Sequence, residues 1–370
     1  MLSKIINRFN NYLNRPNFKS EKTYHYDQHT SLILKDLRRD LAKITKINSD
    51  NYMDYLDKDI SYSKREEIKN KIIFVLKSNL KNEQSKKFFI DENEQNSLND
   101  LKFNGFTKTS HFDFSEEEVR EIKDFFKDKK KFPGHIISNT EKPSLNNLEK
   151  NPYYTFQSSD ILSSSVIQKK IFNERFINFV ENYFEFTPTC VTLNLYSQKN
   201  KINQFDYLPQ FFHRDYHDLK LLTFFVFLSD TDKENGSHCY IKHSHDYETF
   251  KQNLNKDIYD KIHSEDHNLL SFFELNKNSY GHEKKLDLLN PYYKYMYGKK
   301  GTSFMTNNYG IHRAIEPTNN ERIIFWLSFG MFNNQNIKRL PARIQGSKLN
   351  NLPTENYNKF KYIYRNYIKF

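Results

Sequence analysis

The sequence predicts an α+β protein in which a helical half is followed by a sheet curled into a barrel or jelly roll. Three observations carry this. Apolar residues recur at helical spacing in the first half, as in Ile33, Leu37, Leu41 and Ile44, or Ile68, Ile72, Val75, Leu76 and Leu80. From Val191 the period becomes two, with Val191, Leu193 and Leu195 alternating with Thr192, Asn194 and Tyr196. Beyond that point short apolar runs are separated by turn signals, among them Asn235-Gly236 and Pro317-Thr318-Asn319-Asn320.

Taken in order, residues 1–98 read as a helical N-terminal extension with no chemical motif. Ser63 with Glu66 fits a capping box opening its second helix, and Glu83 to Asp100 reads as a polar loop. The main domain is expected over residues 99–345. It opens with a short strand from Leu101 to Phe106, eased by Gly105. Ser115 with Glu118 forms a capping box, Phe114 with Val119 a hydrophobic staple, and Val119, Ile122, Phe125 and Phe126 the buried stripe of a helix. One further helix is expected from Ser164 to Phe184. Strands follow at Val191–Tyr196, Leu221–Leu228, His238–Lys242, Thr302–Thr306, Ile311–Ile315 and Arg322–Phe329. The nearly continuous apolar run Leu221–Leu228 fits a strand buried on both faces. Residues 246–296 interrupt this pattern as an insertion of lid or binding-loop length. Residues 346–370 form a basic, tyrosine-rich tail with helical character.

Composition narrows the class. The chain has 370 residues, enough for a large core, and 33 Phe and 25 Tyr supply it. The mean hydropathy of -0.86 reflects abundant Lys and Asn rather than a lack of core material. A net charge of +11 could suit nucleic acid, a phosphorylated substrate or an anionic membrane. No compact basic run with interleaved aromatics stands out, so the charge reads as scattered over the surface and no nucleic-acid partner is expected. Two cysteines, Cys190 and Cys239, exclude a disulfide framework and a Cys-rich zinc site; free, buried thiols in a reducing compartment are expected. The first eight residues lack the apolar segment of a signal peptide. No apolar run is long enough to span a bilayer. The expectation is a cytoplasmic protein.

The chemistry gathers at His213-Arg214-Asp215 and, much later, at Gly310-Ile311-His312 and Arg322. On a strand, His213 and Asp215 point to one face, and His312 can reach the same point from another strand. Two imidazoles and one carboxylate on one face of an octahedral ion form the arrangement of non-haem Fe(II) oxygenases, which leaves positions open for a bidentate 2-oxo acid and for O2. Each ligating His should donate its other ring N–H to a nearby acceptor. The Pro317–Asn320 turn predicts a hairpin of Ile311–Ile315 with Arg322–Phe329. That hairpin would bring Arg322 near His312, where a guanidinium can hold a distal carboxylate. Arg322, Ile324, Trp326 and Ser328 should share one face.

Other readings of these residues are weaker. His-Arg-Asp also occurs in the protein-kinase catalytic loop, but that loop requires Asn where this chain has Lys220, and no Gly-rich phosphate loop is present. His217 extends the polar side of the motif and reads as an ordinary exposed or hydrogen-bonded histidine. His238, His243 and His245 cluster but lack a fourth ligand for zinc, and Ser244-His245 reads as a cap ending a strand. Tyr153, Tyr154 and Gln157 could reach the pocket, although packing explains the tyrosines equally well.

From Leu101 to Met331 the chain resembles the phytanoyl-CoA dioxygenase-like family of Fe(II)/2-oxoglutarate-dependent oxygenases. The matching pieces are Asn104-Gly105-Phe106 before a capped helix, His213-Arg214-Asp215, Asn235-Gly236-Ser237-His238, Lys242-His243-Ser244-His245, Gly301-Thr302-Ser303-Phe304, Gly310-Ile311-His312-Arg313 and Arg322. The resemblance implies a double-stranded β-helix with flanking helices. It implies Fe(II) on His213, Asp215 and His312, the C5 carboxylate of 2-oxoglutarate on Arg322, and Asn194, Gln210 and Thr223 lining the co-substrate site. The implied reaction is hydroxylation of an unactivated C–H bond of a small molecule by O2, with release of succinate and CO2. His243 departs from the family, which often has Gly there, and the 246–296 insertion is long. Asp215 is the carboxylate that halogenating variants replace with a small residue. Two alternatives remain: a cupin-type jelly-roll metalloenzyme that does not use 2-oxoglutarate, and a non-enzymatic binding protein on the same scaffold.

Overall fold

The computed structural model describes residues 90–133, 153–199, 210–215, 218, 220–265, 286–331, 344–354 and 357–369, together with Glu66, Lys69, Asn70 and Ile73. Most of the expected N-terminal helices, along with His217, lie outside the described residues.

The first described element corrects an expectation. Glu92–Asn104 is a helix, not a polar loop leading to a strand at Leu101. Its apolar stripe is thin, with only Glu94, Leu98 and Leu101 buried, so periodicity hardly registers it. Its ends are nonetheless written in the sequence. Asp91 and Glu94 form a reciprocal capping box, and Gly105 closes the helix in the left-handed conformation. The strand β1 begins only after it, at Phe106–Lys108. The next helix, Glu116–Phe126, carries the expected capping box: Glu118 N–H donates to Ser115 Oγ at 3.1 Å and Ser115 N–H to Glu118 Oε2 at 2.7 Å. The single helix expected over Ser164–Phe184 is two, Ser165–Ile171 and Glu174–Phe184, after a short Ser158–Ser163. Asn173 breaks it, because its side chain accepts from Arg175 N–H at 2.9 Å and so starts a new helix.

The remaining strands are β2 (Phe132–Pro133), β3 (Tyr153–Thr155), β4 (Thr189–Gln198), β5 (Leu221–Phe227), β6 (His238–Ile241), β7 (Tyr293–Met296), β8 (Ser303–Thr306), β9 (His312–Ala314), β10 (Arg322–Gly330), β11 (Ile344–Gln345) and β12 (Ile368–Lys369). β11 and β12 form a small parallel pair. The others make two antiparallel sheets, one of seven strands in the order β1-β8-β5-β10-β4-β3-β2 and one of three in the order β7-β6-β9. The end of the expected insertion is therefore part of a sheet, since Tyr293–Met296 pairs with β6. Before it come the helices Tyr247–Asn253 and Lys256–Glu265. The expected hairpin is absent: β9 pairs with β6, whereas β10 pairs with β4 and β5 in the other sheet. The turn between them crosses from sheet to sheet and is tied to Asn235, whose Oδ1 accepts the N–H of Thr318 at 2.9 Å.

Strand alternation sorts the core. Leu193, Leu195, Leu222, Phe224, Val226, Phe325, Leu327 and Phe329 pack in one cluster with the helices. The alternate residues Phe225, Phe227, Phe304 and Ile324 form a second cluster with Tyr240 and Met296 of the small sheet, and Trp326 and Tyr196 pack against it. This second cluster lies between the sheets and is the layer in which the polar residues considered below are set. Cys239 and Ile241 face the other way, into a third cluster with Phe250, Ile262 and Leu289. Cys190 and Cys239 are free and buried, on different sheets. Among the described residues no helix is long and apolar enough to cross a membrane.

Candidate metal centre

His312 ends the Gly310–His312 stretch and begins β9, and it is buried, 3% exposed. His213 lies on no named strand. It is held to His312 by an isolated antiparallel bridge, each backbone N–H donating to the other's carbonyl at 2.9 Å. Two residues on, Asp215 N–H donates to the carbonyl of Asn308 at 2.9 Å. The expected strand is thus reduced to two anchored points, which suffice to turn His213 and Asp215 the same way.

Each imidazole is oriented by the main chain. His213 Nδ1 lies 2.8 Å from the carbonyl of Phe211, and His312 Nδ1 lies 2.9 Å from that of Gly310. A carbonyl can only accept, so the network assigns the ring proton to Nδ1 and leaves Nε2 as the free donor of an electron pair. Both Nε2 atoms stand 3.8 Å from the Asp215 carboxylate, His213 from Oδ1 and His312 from Oδ2. That is too long for a hydrogen bond. The three ligand atoms lie within 4.8 Å of one another, and no other cluster of this kind occurs among the described residues. Burial, with the His213 ring beside it, pushes His312 down to about 4, so its imidazole is neutral and able to ligate near neutral pH. Two imidazole nitrogens and one carboxylate oxygen facing a common point fit a divalent metal that takes both N and O donors.

Asn308 was not singled out in the sequence. Its Nδ2 donates to Asp215 Oδ2 at 2.8 Å, and its Oδ1 accepts from Thr306 Oγ1. Side chain and backbone of one residue therefore both fix Asp215. Only the contact reveals this role, since an Asn in a turn-like Asn307-Asn308 pair ordinarily reads as turn chemistry.

Arg322 is at the start of β10, 5% exposed, and its Nε is buried without a hydrogen-bond partner among the described residues. Burial pushes it down to about 10, with Tyr196 and Tyr153 acting in the opposite sense, so it stays charged at neutral pH. Gly236 makes room for it. With φ of +79°, a Cβ added there would come within 3.2–3.3 Å of Cβ, Cγ and Cδ of Arg322. As expected, Arg322 shares its face with Ile324 and Trp326, the face turned to the small sheet.

The other co-substrate candidates are spread along this layer. Gln210 Nε2 donates to the Tyr153 hydroxyl at 3.1 Å, as Gln198 Nε2 does at 2.8 Å, and Gln198 is the strand partner of both Tyr153 and Arg322. Gln210 and Tyr153 therefore belong to the Arg322 end. Tyr154 turns away to Glu321 at 2.6 Å, and Gln157 precedes a helix without capping it by its side chain. Thr223 is fully buried and shares a hydrogen bond of 2.8 Å with Ser328; its strand partner Thr306 leads to Asn308 and Asp215. Asn194 pairs in register with Trp326 and accepts from Thr155 Oγ1.

The three clustered histidines do not converge. His243 and His245 bind carbonyls of the first described helix, Phe103 at 2.9 Å and Lys102 at 2.9 Å. His238 faces the layer between the sheets, stacked on His312 with ring centroids 5.2 Å apart. Burial holds it well below the ordinary histidine value, reinforced by His312, Arg322 and His213. Ser244 does cap the strand end, donating to Ile241 O at 2.6 Å and accepting from Ile311 N–H at 2.7 Å.

No known protein family and no curated protein matches the chain. Among solved structures it is similar to HygX from Streptomyces hygroscopicus with nickel and 2-oxoglutarate bound, at 14% identity over 66% of this chain and 90% of that one, with a TM-score of 0.41. It is also similar to the non-heme alpha ketoglutarate dependent epimerase SnoN from nogalamycin biosynthesis, at 12% identity over 66% and 87%, with a TM-score of 0.42. A third is the non-heme alpha ketoglutarate dependent carbocyclase SnoK from nogalamycin biosynthesis, at 12% identity over 66% and 85%, with a TM-score of 0.41. Likenesses this distant leave the site to stand on its own residues.

Proposed function

We propose that this protein is an Fe(II)/2-oxoglutarate-dependent dioxygenase that hydroxylates a small molecule, and that its two sheets are the walls of a double-stranded β-helix. The observation that carries the reading is the convergence of two Nε2 atoms and one carboxylate, with both Nδ1 atoms committed to backbone carbonyls. Three protein ligands suit an ion that must keep positions open for a co-substrate and O2. Arg322 favours the 2-oxoglutarate reading over a cupin-type metalloenzyme, because a buried guanidinium with an unpartnered Nε is costly unless an anion meets it.

His213, Asp215 and His312 would hold the metal, and Arg322 the distal carboxylate of the co-substrate. When bound, Fe(II) with 2-oxoglutarate and O2 supplies the oxidising chemistry, one oxygen atom entering succinate as CO2 leaves and the other entering a C–H bond of the substrate. The chain's own contribution is orientation. Asn308 fixes the Asp215 carboxylate, the Phe211 and Gly310 carbonyls fix the rings, and Gly236 seats the Arg322 stem.

The test is an anaerobic titration of metal-free protein with Fe(II) and then 2-oxoglutarate, followed by visible absorbance. Wild type should develop a metal-to-ligand charge-transfer band. His213→Ala should lose it. Arg322→Lys keeps the charge but not the fork, and should require roughly tenfold more 2-oxoglutarate with Fe(II) binding unchanged. No band in metal-loaded wild type would overturn the reading and favour a metalloenzyme that does not use 2-oxoglutarate.

A further inference from the structure

His238 is a buried polar group of the layer between the sheets to which the reading above gives no role. It is on β6, and the strand alternation that turns Cys239 outward turns His238 and Tyr240 inward. The ring is held on three sides. Phe225 lies 5.1 Å away, Phe304 5.5 Å and the metal-ligand candidate His312 5.2 Å, nearly parallel at 19°. Such a ring cannot swing to find a partner elsewhere. Its Nε2 is nevertheless buried with no hydrogen-bond partner among the described residues, and the residue is 3% exposed.

The charged and titratable groups that act on it electrostatically include His312, Arg322 and His213. His238 therefore lies against a proposed metal ligand and within electrostatic range of the guanidinium of the proposed carboxylate anchor. Nε2 of His238 and Nε of Arg322 are both buried in this layer without a hydrogen-bond partner among the described residues. Buried donors are rarely left unmet unless a ligand completes them. An acid reaching from the metal to Arg322 would bring its carboxylate to this buried layer, where it is the acceptor that a guanidinium and an unpartnered ring N–H select.

Resting on the oxygenase reading, we infer that His238 is a further co-substrate-binding residue, whose Nε2–H donates to the carboxylate that Arg322 holds. Nothing in the family resemblance assigned this residue, and the zinc cluster that its neighbours suggested does not form.

The experiment repeats the anaerobic titration on His238→Leu, which fills the volume without a donor, and on His238→Gln, whose amide can replace Nε2–H. Loss of a hydrogen bond to a charged group predicts a 2-oxoglutarate dissociation constant roughly tenfold to a hundredfold higher in His238→Leu, and within about threefold of wild type in His238→Gln. Fe(II) affinity should be unchanged in both. With 2-oxobutyrate, which lacks the distal carboxylate, His238→Leu and wild type should bind alike. Equal 2-oxoglutarate affinity in His238→Leu and wild type overturns the inference. So does a loss that Gln fails to restore and that Fe(II) binding shares, because that pattern marks packing against His312 only. An equal penalty with 2-oxobutyrate overturns the assignment to the distal carboxylate. A missing band in wild type defeats the oxygenase reading and this inference together, whereas a normal wild type with an indifferent His238→Leu defeats this inference alone. His238→Met, of similar volume, replaces Leu if that variant does not fold.

Discussion

His213 and His312, far apart in the chain, exchange both backbone hydrogen bonds at 2.9 Å, and their rings lie 4.4 Å apart. The same pairing that closes this corner of the small sheet thus sets the separation of the two imidazoles. Neither ligand depends on a long side chain to arrive, since both project from a single bridge whose geometry the backbone determines. Asp215 is fixed in a different way, through Asn308.

Replacing Asn308 by Ala removes the amide that orients the Asp215 carboxylate while leaving the backbone bond between these residues in place. Partners of metal ligands are typically worth tenfold to a hundredfold in affinity. Equilibrium dialysis should find Fe(II) or Ni(II) held roughly tenfold more weakly by Asn308→Ala, with the circular dichroism spectrum unchanged. Metal affinity equal to wild type would show that the side-chain contact does not hold the carboxylate.

Gly236 is the position where a single methyl group should disturb a residue of the opposite sheet. An Ala there must adopt a left-handed conformation, and its Cβ would press on the Arg322 stem at 3.2–3.3 Å. Gly236→Ala should lose about 1–2 kcal/mol of stability from the backbone alone. It should also weaken 2-oxoglutarate binding without changing Fe(II) affinity. Urea denaturation reads the first effect and the anaerobic titration the second; an unaltered 2-oxoglutarate affinity would mean that Arg322 tolerates the displacement.

Acid should destabilise the protein before its carboxylates titrate. Burial pushes His245 down to about 4 from an ordinary 6.5, and its Nδ1 is buried with no hydrogen-bond partner among the described residues. A group that stays neutral in the fold but takes up a proton when unfolded leaves stability unaffected above about pH 6.5, and destabilises progressively as pH falls from there towards about 4. Urea midpoints should therefore fall across this window. In His245→Gln, where the amide can still donate to the Lys102 carbonyl, the fall should be shallower. An identical pH profile in the variant would remove His245 from the account.

The sequence made the candidate site more legible than the surrounding topology. The convergence of His213, Asp215 and His312 was readable because ligand chemistry restricts residue type and spacing. The hairpin that was to join His312 to Arg322 was not, because Pro317–Asn320 looks like any reversing turn, and its contact with the Asn235 side chain, remote in sequence, is not visible in the local pattern. The helix at Glu92–Asn104 went unread for a different reason. Its ends carry clear caps, but its middle buries too few apolar residues to give a period. His243 shows that a departure from a pattern can still obey its physics. Its φ is +65°, the conformation for which glycine is the usual choice, and the ring's bond to the Phe103 carbonyl helps hold an imidazole there instead.

The proposed metal ligands belong to the small sheet and the segment bridged to it, while Arg322 belongs to the large one. The span between metal and anchor is therefore not a property of either sheet. It is the thickness of the layer between them, kept by rings such as Phe225 and Phe304, stacked 4.9 Å apart, with His238 laid against both. These rings act as the spacer of a gauge. A thinner or thicker aromatic layer would leave the metal ligands and the guanidinium each intact, yet would change the length of oxo diacid that reaches from one to the other.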